Sequence, residues 1–183
     1  MIDPAQRMYE QLLVLRCQAG DESAFAEVVE QYHPRLRLYL RKMLGPGHSV
    51  EDVLQDVWLD AFRAIHKLLD PQALCGWLYT IARARAAGLM RNRPPPAALL
   101  QENDIAEEAD DPFGPDDAAA IHAGLDALSP EHREVLLLRF VEQMSYGQIA
   151  RVTGSGVGTV RSRLHYAKRA LRAALEEHSH ERE

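Results

Sequence analysis

Between Arg151 and Arg172 the chain carries six Arg or Lys residues and no Asp or Glu. Cationic side chains at helical spacing act on phosphate oxygens and on the acceptor edges of bases, so this segment points to double-stranded DNA. Projected at about 100° per residue, Ser162, His165 and Arg169 lie opposite an apolar stripe of Val157, Val160, Leu164, Ala167 and Leu171, while Arg161, Lys168 and Arg172 flank it. Such a face suits a major groove. Other chemistries find less in the chain. Cys17 and Cys75 lack Cys-x-x-Cys spacing and read as two small buried hydrophobes. His178 and His180 stand near Glu177 and Glu181, and His122 and His132 bracket a helix start. None of these forms a His-x-x-x-His or Glu-x-x-His pair on a buried face. No catalytic residue, metal or cofactor is therefore expected.

The basic segment needs two helices to hold it. Ser145-Tyr146-Gly147-Gln148 is a Ser-x-x-Gln capping box, and Ile149, Ala150 and Val152 supply the packing face of the helix it starts. Thr153-Gly154-Ser155-Gly156 forms the break, with glycine for the left-handed exit and Gly156 at the next cap position. A second helix then starts near Val157. The whole reads as a helix-turn-helix.

Upstream, the pattern is helical throughout. Met8 to Ala19 is amphipathic, with Leu12, Leu13 and Leu15 as core candidates. After the break at Gly20-Asp21-Glu22-Ser23, a second helix carries Phe25, Val28, Val29 and Tyr32, and Pro34 is a kink or a fresh start within it. Ser49 caps a third helix, whose Trp58 and Phe62 read as core aromatics, and Asp70-Pro71 breaks it. A fourth helix, Trp77 to Met90, has no acid from Trp77 to Arg93 and forms a second basic surface with Arg83, Arg85, Arg91 and Arg93.

Net charge is −6, but it is segregated: residues 101–117 hold eight acids and no base, and without them 19 acids face 21 Lys and Arg. With Pro94-Pro95-Pro96 at one side and Pro112, Gly114 and Pro115 near the other, this stretch reads as an acidic linker. The expected fold is all-α, with two small helical domains at 8–94 and 119–176 joined by a linker at 95–118. No apolar run reaches membrane-spanning length and the first residues lack a signal-peptide pattern, so a cytoplasmic protein without membrane insertion is expected.

Val50-Glu51-Asp52-Val53-Leu54-Gln55-Asp56-Val57-Trp58 and Gly76-Trp77-Leu78-Tyr79-Thr80-Ile81-Ala82-Arg83 resemble the first conserved domain of the extracytoplasmic-function sigma factors of bacterial RNA polymerase. Leu128 to Arg139 and Gly158 to Leu164 resemble the second, and Gly20-Asp21 followed by Ala24-Phe25 fits the family opening. The resemblance implies a transcription initiation factor, not an enzyme. It would bind core RNA polymerase and promoter DNA, assist strand opening, and be silenced by an anti-sigma factor. By position, Asp52, Gln55, Asp56 and Trp58 would grip the polymerase. Arg83, Arg85 and Arg91, with Trp77, would hold the −10 strand, after a loop from His66 to Cys75 that traps an unstacked base. Arg161, Ser162 and His165 would face the −35 element, with Arg169 also binding DNA there and Arg163, Lys168, Arg139 and Tyr146 on the backbone. The acidic linker would thread the polymerase's positively charged channel, or act as a solvated spacer. Ala84 stands where the family usually has asparagine, and Leu74 where an aromatic is common. The other readings are a stand-alone helix-turn-helix regulator, which would bind its duplex without polymerase, and a small histidine enzyme.

Overall fold

The computed structural model of the chain describes residues 4–45, 47–90 and 124–180. The described residues are helical, without a strand, and fall into two compact units divided between Pro94 and Pro95. The expected all-α class is what the chain adopts. The Pro-rich and acidic stretch, Arg91 included, lies outside the described residues.

The first unit is a four-helix bundle of α1 (Pro4–Gln18), α2 (Glu22–Leu44), α3 (Val50–Ala64) and α4 (Leu74–Met90). Short 3-10 turns at Ile65–Lys67 and Pro71–Ala73 join α3 to α4. Asp21 starts α2: its carboxylate accepts from the backbone N–H groups of Ser23 and Ala24, two donors the helix cannot satisfy itself. Arg16 donates to the same carboxylate and to Glu27, while Tyr9 also bonds Glu27, so α1 is tied along the start of α2. Ser49 caps α3 through the Asp52 N–H, as its position foretells. Asp70 opens the turn before α4 by accepting from Gln72 N–H.

Pro34 is not a fresh start; α2 runs through it as one helix. Val28, Tyr32, Leu36 and Leu40 from α2, Leu54, Val57 and Ala61 from α3, and Leu78, Tyr79 and Ala82 from α4 make the core. Tyr39 and Tyr79 meet edge-on inside it, with ring centroids 5.1 Å apart. Burial pushes the Tyr32 hydroxyl's pKa up, and that hydroxyl donates to Glu10.

Several expected core residues are elsewhere. Leu13, Val14 and Cys17 form the inner face of α1, while Leu12 and Leu15 are about half exposed. Phe62, expected in the core, is 51% exposed; Cys75 is only partly covered.

The second unit contains α5 (Pro130–Leu136), a π-type turn at Leu137–Val141, α6 (Tyr146–Thr153) and α7 (Val157–His180). Ser129 caps α5 through His132 N–H, with Pro130 at the first helical position where its missing donor costs nothing. Arg133 donates to the carbonyls of Leu125, Asp126 and Leu128 and so fastens the segment that enters the unit. Both α5 and α6 pack on α7. Val135, Leu136, Ile149, Val160, Leu164, Ala167 and Leu171 are buried between them. Each fully buried leucine there stabilises the unit by roughly 1.5–3 kcal/mol.

Candidate functional site

The α6–α7 pair has the geometry its residues dictate. Ser145 Oγ accepts from Gln148 N–H and Gln148 Oε1 accepts from Ser145 N–H, closing the capping box at both ends. Gly154 closes α6 in the left-handed region, at φ 65° and ψ 27°. The N–H groups of Gly154 and Ser155 both return to the Ala150 carbonyl, so no donor is wasted at the turn. Thr153 is buried; its hydroxyl donates to the Ile149 carbonyl and pairs with Ser155 Oγ at 2.7 Å. Val160 N–H bonds the Gly156 carbonyl, which makes Gly156 the residue before α7.

Along α7, Arg161, Arg163, His165 and Lys168 are partly exposed, and Arg169 and Arg172 are open to solvent. Two projected positions are corrected. Ser162 is 7% exposed and donates its hydroxyl to the Thr159 carbonyl, so it does not lie opposite the stripe. Val157, assigned to the stripe, is 44% exposed. Lys168 sits 5.7 Å from the Phe140 ring centroid and Arg139 lies 5.5 Å from that of Tyr146, arrangements in which an aromatic face attracts the cation. Arg139 also donates to the Met144 carbonyl, bracing the loop ahead of α6. His132, half-buried at the start of α5, has its pKa lowered by burial; Arg163 reinforces the shift and Glu131 opposes it.

The first unit carries a second set of surface groups. On α3, Asp52, Gln55 and Asp56 are exposed at helical spacing, and Leu59 (45%) and Phe62 continue the same outer face. Trp58 is half-buried, donates its indole N–H to His33 Nδ1 at 3.3 Å, and meets Phe25 edge-on; Phe62 meets Phe25 as well, at 5.1 Å. The sequence reading missed Leu59 and Phe62 as surface groups. Their spacing, four and seven residues beyond Gln55, was the available signal. On α4, Trp77 and Arg83 are partly exposed. Arg85 is held by α3: its guanidinium contacts Asp60 at 2.5 Å and Asp56 at 3.3 Å, and these acids raise its pKa, Asp60 most. A residue expected to hold phosphate and one expected to hold polymerase are thus joined to each other.

Comparison with known proteins agrees with this layout. Residues 28–93 match the family Sigma-70 region 2 and residues 118–171 match Sigma-70, region 4. The RNA polymerase sigma-H factor of Pseudomonas aeruginosa is 32% identical over 181 residues, covering 91% of this chain and 94% of that protein. The chain belongs to the extracytoplasmic-function sigma factors. As such it binds core RNA polymerase and directs promoter-specific initiation. ECF RNA polymerase sigma factor SigE of Mycolicibacterium smegmatis is 31% identical over 173 residues, covering 88% of this chain and 66% of that protein. Among solved structures, the sigma factor RpoE in complex with the anti-sigma factor NepR, from Bartonella quintana, superposes with a TM-score of 0.63 at 25% identity, covering 83% of this chain and 96% of that one. CnrH, solved with the cytosolic domain of CnrY, shares the fold with a TM-score of 0.67 at 24% identity, covering 92% and 98%.

Among the described residues, no helix of this sigma factor is long and apolar enough to cross a membrane, and no cluster of three or more His, Cys, Asp or Glu is placed to hold a metal.

Proposed function

We propose that the two units divide promoter recognition between them. In the second, α7 enters the major groove of the −35 element. Arg161 makes a bidentate contact to guanine, which discriminates by roughly 1–3 kcal/mol, and His165 stands one turn further along the same face. Arg163, Lys168, Arg169, Arg139 and Tyr146 hold phosphates, adding affinity without sequence information. Ser162 serves the helix instead, through its bond to Thr159. In the first unit, Arg83 and Trp77, joined by Arg91 from beyond the described residues, hold the separated −10 strand. Arginine takes the phosphates and the aromatic ring offers a stacking face. Asp52, Gln55, Asp56 and Trp58 on α3 face the polymerase. The factor contributes recognition and strand capture, leaves the chemistry to polymerase, works in the cytoplasm, and is held in check by an anti-sigma partner.

The observation that carries this reading is the charge segregation along exposed faces: α7 offers cations without a carboxylate from Val157 through Ala174, while the outer face of α3 begins with Glu51, Asp52 and Asp56. The test is run-off transcription by purified core polymerase, with and without the full chain, on a promoter library. The expected result is start sites that depend on the chain, with Arg161→Ala shifting −35 preference while polymerase pull-down is unchanged. If start-site choice never responds to the chain, or Arg161→Ala abolishes pull-down, the assignment fails.

A further inference from the structure

Val157 is an apolar side chain left in the open at the first turn of the helix proposed to enter the groove. It does not belong to the buried stripe, where Val160, Leu164, Ala167 and Leu171 are essentially inaccessible. Instead it begins an outward ridge: Arg161 and His165 follow at intervals of four, the spacing of neighbours on one helix face. Glycines stand on either side of it. A Cβ at Gly158 would meet nothing within 4 Å, and one at Gly156 only Thr159 Oγ1 at 3.9 Å. Packing within the unit therefore does not require Gly158, although glycine in a helix costs about 0.5–1 kcal/mol relative to alanine. What two absent side chains provide is clearance on both sides of Val157, so that its methyl groups can reach the floor of a groove.

From the ridge, the clearance and the carboxylate-free charge of α7, we infer that Val157 reads the 5-methyl group of a thymine in the −35 element. The inference rests on the placement of α7 in that groove. The first residues of a recognition helix are those that meet base edges. Thymine alone presents a methyl in the major groove, and an aliphatic side chain is its natural partner. Arg161, one turn on, takes the neighbouring acceptor edge, so the ridge reads a methyl and a guanine side by side.

The test uses holoenzyme assembled from core polymerase and the full chain. A promoter is first selected from a library randomised over the −35 region. It is then resynthesised with each −35 thymine replaced singly by deoxyuridine, which keeps the base pair and removes only the methyl. Run-off rates are measured at limiting holoenzyme. With the unaltered chain, one deoxyuridine should lower the rate about fourfold, the factor for losing one buried methyl-sized group. Val157→Ala should be slower by a similar factor on the all-thymine template and indifferent to deoxyuridine at that position. Alanine favours helix more than valine, so this variant keeps the fold. If no thymine is sensitive, or if Val157→Ala retains the full deoxyuridine penalty, the inference is wrong. Arg161→Ala on the same library separates the two levels. Unchanged −35 preference in that variant removes α7 from the groove and the thymine contact with it. A changed preference alongside an uncoupled Val157 overturns the thymine contact alone.

Discussion

Two glycines four residues apart in the helix-turn-helix should respond to alanine with opposite signs. Gly154 holds φ 65° where α6 ends, and an L-residue forced into the left-handed region loses roughly 1–2 kcal/mol. Its Cβ would meet no atom within 4 Å, so the cost is purely one of backbone conformation. Gly158 lies inside α7 with equally open space, and alanine there gains about 0.5–1 kcal/mol from helix propensity and a stiffer unfolded chain. The variants should therefore differ by about 1.5–3 kcal/mol. In a unit this small each kcal/mol moves the melting temperature by about 4–8 °C. Thermal unfolding of the full chain by circular dichroism measures the difference, and hydrogen exchange on α6 and α7 assigns it to the second unit. Gly158→Ala should nonetheless transcribe less well, because the added methyl occupies the clearance beside Val157. Shifts of the same sign would refute the conformational argument. A Gly158→Ala protein that is more stable and fully active would show that the clearance has no use.

Other consequences can be checked directly. Arg85 and Asp60 should couple by about 0.5–1 kcal/mol in a double-alanine cycle followed by urea unfolding, a small value because both side chains are over a third exposed; zero coupling would mean the contact does not persist in solution. Asp56→Arg should reduce pull-down of core polymerase and also repel Arg85, whereas Phe62→Ser should reduce pull-down while costing stability only the roughly 0.5–1.5 kcal/mol of its edge contact with Phe25 and its half-buried area, since Phe62 is half in solvent. Pull-down unchanged in both would remove the α3 face from the interface. The Asp21 carboxyl is held at about 2, below its ordinary 3.8, first by the Ser23 hydroxyl and then by Arg16 and the Ala24 N–H. A depressed acid stabilises the fold above its unfolded pKa and loses that contribution as pH falls through the folded one. The first unit should therefore weaken between pH 3.8 and about 2, and Asp21→Asn should flatten that part of the curve in an acid titration.

What the sequence disclosed was what local chemistry decides. The capping box at Ser145, the cap at Ser49 and the glycine exit at Gly154 depend on residues within four positions of each other, and each stands where its neighbours required. The misassignments came from contacts between elements. Val157 fell out of the stripe because helical side chains lean toward the N-terminus, and a residue at the first position has no earlier turn to lean on. Ser162 went in because α5 and α6 both pack on α7, which widens its buried arc beyond one stripe. In the run Leu12-Leu13-Val14-Leu15 every phase is apolar, so periodicity could not choose the inner face; Leu13 and Val14 took it. The basic side chains of α4 and the acids of α3 were legible separately, but nothing in their order along the chain announced that Arg85 would pair with Asp56 and Asp60.

Arg133 fastens the second unit at the point where the described chain enters it. Its three bonds to the carbonyls of Leu125, Asp126 and Leu128 clamp the incoming chain at the threshold of α5. A pull arriving from the acidic side would load those bonds before it reached Leu136 or Leu164. Substitutions ahead of Leu125 should therefore leave the packing around Leu136 and Leu164 unchanged, whereas loss of the Arg133 guanidinium should loosen the Leu125–Leu128 segment first.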